Sequence, residues 1–196
     1  MLKISKGLTV VSALLITAVL ILGIQSSPLF NKTAPDITFP LLDGRKLAMS
    51  SLAGKPVLVT FWASTCIECR KEIPQLITLY NELSASGFEI IAVAMPYDPP
   101  YRVLAASQNQ KVPYPVALDI DGKAVQAFGN VTVTPSAFLI GPDGNIIQSY
   151  AGRIDMIQLR NQIIDMLEDK QIASIVRSCN KTLVSRSEKE RAVCSG

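Results

Sequence analysis

The stretch "VLVTFWASTCIECRKEIP", residues 57–74, joins a continuous apolar, β-rich run to a segment of helical spacing, with two cysteines three positions apart at the junction. A run such as "VLVTFW" suits a strand buried on both faces, in the middle of a sheet. From about Cys66 the apolar residues recur at helical intervals through Ile73, Leu76, Ile77, Tyr80 and Leu83 to Gly87, a C-terminal stop. Pro74 falls inside this helix, where a kink is expected. A cysteine at the first turn meets free backbone N–H groups and the positive end of the helix dipole. Both stabilise a thiolate and lower its pKa below the free value of about 8.5. Cys69, one turn on, lies on the same face and within reach of a mixed disulfide formed at Cys66.

Outward from this junction the chain alternates. "DITFPLLDGRKLAMSSLAGKP" contains an Asp43-Gly44 hairpin turn and a short turn at Leu52 and Gly54. "FEIIAVAM" (88–95) reads as a second buried strand, followed by a helix around residues 100–110. "YPVALDI" is a third strand and "DGKAVQAFG" a short helix. "PSAFLIGPDGNIIQSYAG" is two strands about a turn from Pro142 to Asn145. "DMIQLRNQIIDMLED" places Met156, Leu159, Ile163, Met166 and Leu167 on one helical face. That order predicts a central sheet, parallel in part, with helices on both faces.

The 196 residues contain no histidine. Hydrolases with a histidine base, zinc sites of mixed Cys/His type and the haem-attachment motif CxxCH are thereby excluded. The net charge is only +3, and the basic residues form no stripe interleaved with aromatics, so no nucleic acid is expected as a partner.

Lys3 and Lys6 precede an uncharged run from Gly7 to Ile24. As a helix it would span roughly 26 Å, close to a hydrocarbon core. Residues 1–24 are therefore read as an N-terminal signal anchor, a transmembrane helix, in preference to a cleaved signal peptide, because no A-x-A-like site follows. The positive-inside rule sends the rest of the chain across the cytoplasmic membrane, to a periplasmic or extracytoplasmic side that is oxidising. Residues 25–34 form a linker, 35–170 the folded domain, and 171–196 a charged C-terminal extension. There Cys179 and Cys194 are expected as a structural disulfide. Closing a loop of about 15 residues would stabilise by roughly 3 kcal/mol.

"VLVTFWASTCIECRKEIP" together with "TVTPSAFLI" resembles the thioredoxin superfamily, and within it the membrane-anchored TlpA/ResA-like thiol:disulfide oxidoreductases, over about residues 34–170. The resemblance implies a thioredoxin-like α/β fold, a central mixed β-sheet flanked by helices, behind the N-terminal membrane anchor. It implies Cys66 as the attacking and Cys69 as the resolving cysteine, forming a redox-active Cys66–Cys69 disulfide with no other cofactor and no metal. Thr134-Pro135 matches the family's cis-proline loop, which receives an extended substrate segment, and Trp62 matches the tryptophan near the active site, expected with that loop to be substrate-binding; the alternative for Trp62 is a plain core residue. Thr60 stands where thioredoxins carry a buried acid, whereas Glu72 matches the acid that TlpA/ResA-like proteins place after the CxxC, a candidate for handling the Cys69 proton. The alternative for Glu72 is a solvated helix glutamate. Glu68, between the cysteines, carries a negative charge that disfavours the thiolate and favours a reductase.

The expected activity is reduction of protein disulfides, with apocytochromes or other exported thiol proteins as partners and a membrane electron donor. Two alternatives have different chemistry. A thiol peroxidase shares the fold, but Thr65 abuts Cys66 where peroxiredoxins space the pair. A Cu(I) carrier would use the two thiolates, without the histidine that related copper proteins add.

Overall fold

The computed structural model describes residues 32–174. The anchor expected over 1–24 and the Cys179–Cys194 disulfide lie outside these residues. A short hairpin comes first, with β1 (Thr38–Pro40) antiparallel to β2 (Lys46–Ala48) around the Asp43-Gly44 turn. A single 3-10 turn, Met49–Leu52, leads to β3 (Val57–Trp62). Then follow α1 (Ile67–Leu83), β4 (Glu89–Ala94), α2 (Pro100–Asn109), β5 (Val116–Leu118) and α3 (Lys123–Ala127). The antiparallel pair β6 (Ser136–Ile140) and β7 (Ile146–Ala151) precedes α4, which occupies residues 156–174.

The five-stranded sheet runs β5-β4-β3-β6-β7. β3 is parallel to β4 and antiparallel to β6, so the sheet is mixed. All six residues of β3 are buried, as its unbroken apolar run requires of a central strand. The edge strand β7 instead alternates between half-buried and exposed positions.

Period-two alternation sorts the central strands onto two cores. Leu58, Ile90, Ala92, Ala137 and Leu139 face α1 and α4, meeting Ile73, Leu76, Leu79, Leu159 and Ile163. Val57, Val59, Phe61, Ile91 and Val93 face the hairpin and α3, meeting Phe39, Leu52, Ala124 and Phe128. Each fully buried Leu, Ile or Phe contributes about 1.5–3 kcal/mol of transfer free energy.

Local signals explain the helix ends. Gly87 adopts φ +104°, a left-handed conformation that ends the 3-10 turn Ser84–Ser86 after α1 and feeds Phe88 into the core. Asp155 caps α4, its Oδ1 accepting the N–H groups of Ile157 and Gln158 at 3.0 Å. Pro74 lies inside α1 without ending it, and its missing N–H leaves the Arg70 carbonyl without a helical donor. The N-terminal stretch joins the fold early, through Ala34 N–H donating to the Gly144 carbonyl at 2.9 Å.

Candidate active site

The site is assembled at the C-terminal end of β3. Trp62 closes that strand, residues 63–65 turn, and Cys66 becomes the N-cap of α1 in an extended conformation (φ −75°, ψ 114°). Its Sγ accepts the Cys69 N–H at 3.1 Å, so the sulfur is aimed at the free amides of the first turn. Cys66 and Cys69 are joined by a disulfide, with their Cα atoms 5.3 Å apart. The two sulfurs differ in access: Cys66 is half-buried, whereas Cys69 is only 2% exposed. Of the two, Cys66 is therefore the sulfur open to a partner molecule.

The Thr134–Pro135 peptide bond is cis. Pro135 is buried and shares with Cys69 the lining of a small cavity of about 10 Å³, room for about one water molecule. Its carbonyl accepts the Gly152 N–H at 2.8 Å, tying this loop to the end of β7. Thr134 is half-buried, and Val133 beside it is 54% exposed. Ile67, next to Cys66, is 61% exposed. Apolar surface therefore lies both beside Cys66 and on the Pro135 loop. Trp62 is 4% exposed and belongs to the core beneath the disulfide, where it supports the site instead of presenting surface to a client. The indole packs with Cys69 and Ile73 because β3 carries it on the face that meets α1.

Glu72 also lines the cavity, with Thr60, Tyr114 and Cys69. It is 4% exposed, so the solvated-glutamate alternative does not describe it. Burial pushes its carboxyl pKa up, and the Ile154 N–H, donating to Oε1 at 2.8 Å, works against that rise. Arg153 lowers it further while Glu68 raises it. A buried acid that holds its proton more tightly than an exposed one, lining the same cavity as the buried member of a dithiol, is placed to exchange a proton with it. Tyr114 is pushed upward by burial and by the Glu72 charge.

Glu68 stands differently from expectation. Its carboxylate is held at about 2 by Lys71 first and Arg153 second, with contacts of 2.7 Å and 2.8 Å. The charge between the cysteines is thus compensated on the protein surface, and its effect on the thiolate is smaller than a lone glutamate would exert.

Two contributors escaped sequence reasoning. Arg153 reaches Glu68 from 85 residues away, and Asp98 grips the turn before Cys66 from 34 residues beyond Ser64. Neither lies in a motif with the cysteines; only the pairing of β3 with β4 and the return of β7 bring them close. Among the described residues no group of three or more His, Cys, Asp or Glu is placed to hold a metal ion.

Comparison with known proteins agrees with this geometry. The AhpC/TSA family matches residues 30–149. The thiol-disulfide oxidoreductase ResA of Bacillus thuringiensis subsp. konkukian is 31% identical over 133 residues, covering 68% of this chain and 76% of its relative. ResA of Bacillus subtilis is 31% identical over 119 residues, covering 61% and 65%. Among solved structures, a thioredoxin-like protein of Neisseria meningitidis is 36% identical with a TM-score of 0.64, covering 70% of this chain and 91% of that one. A thiol:disulfide interchange protein of the thioredoxin family from Chlorobium tepidum is 25% identical with a TM-score of 0.64, covering 70% and 97%.

Proposed function

Because the chain belongs to the AhpC/TSA family of the thioredoxin superfamily and is a thiol:disulfide oxidoreductase related to ResA, we propose that it reduces disulfides in exported proteins from the outer face of the cytoplasmic membrane. The observation that carries this reading is the asymmetric dithiol: an accessible Cys66 sulfur at a helix N-cap, bonded to a buried Cys69.

In the reduced protein the Cys66 thiolate attacks one sulfur of a client disulfide. The client S–S bond breaks, a Cys66–client disulfide forms, and the first client thiolate leaves and takes up a proton. Cys69, having given its proton to Glu72, attacks the Cys66 sulfur. This expels the second client thiolate and closes the Cys66–Cys69 disulfide, so two electrons have passed to the client. The exposed Ile67 and Val133 offer an apolar seat for an extended client segment beside the Thr134-Pro135 loop. A membrane electron donor restores the dithiol, and apocytochromes fit as clients because their haem-attachment cysteines must be reduced.

The location is supported by the charge pattern of the N-terminus, Lys3 and Lys6 before an uncharged run to Ile24. Reduction is favoured over oxidation by the sign of the Glu68 charge, a contribution that its pairing with Lys71 and Arg153 makes small.

The test is a full-length Cys69→Ser variant expressed in cells, which would stall as a mixed disulfide through Cys66. Capture of exported cysteine proteins supports the reading. Capture only through Cys69, in a Cys66→Ser variant, would reverse the two roles.

A further inference from the structure

Asp98 is a buried carboxylate, 6% exposed, that takes no part in the chemistry above. A buried anion is costly unless its oxygens are fully hydrogen-bonded. Here both side-chain oxygens go to one residue: Oδ1 accepts the Ser64 hydroxyl at 2.7 Å, and Oδ2 accepts the Ser64 N–H. Ser64 sits two residues before the attacking sulfur. The turn it belongs to closes with Cys66 N–H donating to the Ala63 carbonyl at 3.0 Å, after which α1 begins.

The carboxylate is itself held rigidly. Met95 N–H donates to the Trp62 carbonyl at 3.0 Å, extending the pairing of β4 with β3. Asp98 N–H donates to the Met95 carbonyl at 2.9 Å. Pro99 follows and restricts the backbone of Asp98, while Pro99 and Pro100 start α2. The grip on Ser64 therefore comes from a preorganised support in the turn that follows the neighbouring strand.

We propose that Asp98 is a positioning residue of the dithiol, clamping Ser64 so that the turn presents the Cys66 sulfur to its partners, Cys69 included. Such a residue never meets the client; it acts on the exchange rate by fixing where Cys66 stands, and small misplacements of reacting atoms lower rates by up to about a hundredfold. The proposal rests on Cys66 attacking and Cys69 resolving, and the experiment separates the two ideas.

The reduced full-length protein is mixed with a small aromatic disulfide. Cys66 thiolate attacks one probe sulfur and expels a first aromatic thiolate; Cys69 then attacks the Cys66 sulfur, expels a second and closes the disulfide. The two releases are followed optically at a pH above the titration of both thiols, where changes in ionisation no longer contribute. Asp98→Ala is expected to slow the second release about tenfold. Asp98→Asn, which keeps an acceptor for the N–H and a partner for the hydroxyl, stays within about threefold of the parent. Ser64→Ala, which loses one of the two bonds, falls between, and combining it with Asp98→Ala adds no further loss. A purely structural residue would lower the denaturation midpoint of Asp98→Ala without moving either release. The proposal is overturned if folded Asp98→Ala keeps both rates within twofold of the parent, or if Asp98→Asn is as slow as Asp98→Ala, which would make the effect one of charge. Should Asp98→Ala not fold, Ser64→Ala decides: a second release within 1.5-fold, as roughly the limit of measurement, overturns it. A parent that shows no second release would instead refute the attacking and resolving roles.

Discussion

Arg153 Nη2 stands 2.8 Å from Glu68 Oε2, so a residue from the end of the sheet neutralises the acid that the motif places between its cysteines. Lys71 holds the other oxygen at 2.7 Å. Arg153→Gln is expected to strip half of this compensation, raise the Cys66 pKa and lower the reduction potential. Glu68→Gln moves both in the opposite direction. All three side chains are largely exposed, so each change stays under about 30 mV, the equivalent of one full pKa unit on one thiol. It also shrinks in 1 M salt. Potentials measured against glutathione at low and high salt check the signs; equal potentials for the two variants would remove Arg153 from the site.

Glu72 makes the protein's stability depend on pH. Its folded pKa lies above the unfolded value of 4.5, chiefly through burial. A raised pKa contributes stability that is present below the unfolded value and is lost as pH rises through the folded one. Glu72→Gln, which retains an acceptor for the Ile154 N–H, is therefore expected to be more stable than the parent at pH 8 and equal to it at pH 4. Urea midpoints at the two pH values test this, and a variant less stable at pH 8 would contradict it. The same variant slows resolution by Cys69 at neutral pH, since a neutral amide takes no proton.

Asp119 is buried, and its two oxygens accept the N–H groups of Ala124 and Val125 at 2.9 Å and 2.8 Å, securing α3 across the second core. Asp119→Ala is expected to cost about 1–2 kcal/mol, the value of a lost helix cap. Because α3 lies on the face away from α1, the potential of the dithiol is expected to stay unchanged. Denaturant titration alongside redox titration reads both.

Trp62 Nε1 is buried and has no hydrogen-bond partner among the described residues. Trp62→Phe removes an unsatisfied donor, a gain of about 1–3 kcal/mol, and part of a large apolar side chain, a loss of similar size. Near-neutral stability is expected, within about 1 kcal/mol. Leu58→Ala, in the same core, has no such offset and costs about 2–5 kcal/mol. A Trp62→Phe loss as large as that of Leu58→Ala would contradict this balance.

Much of the architecture was legible in the chain because it depends on local rules. The six-residue apolar run of β3, the helical spacing from Cys66 to Leu83 and the turns at Asp43-Gly44 and Pro142–Asn145 each follow from the conformational preferences of a few neighbouring residues. The CxxC pair shared that advantage, since three residues of helix suffice to bring two sulfurs together.

Local rules end where distant segments meet. Glu72 reads equally as a solvated or a buried acid until β7 returns and Ile154 covers it, and that burial decides its proton affinity. The charge of Glu68 is visible in the chain, but its compensation by Arg153 is not, because Coulomb energy depends on separation in space and 85 residues lie between them. Asp98 in "PYDPP" likewise gains meaning only when β4 lies beside β3. Sequence by itself determined which two sulfurs pair and that one of them opens a helix; tertiary packing alone decided which sulfur meets solvent and which charges surround the pair, since burial and distance belong to the folded chain.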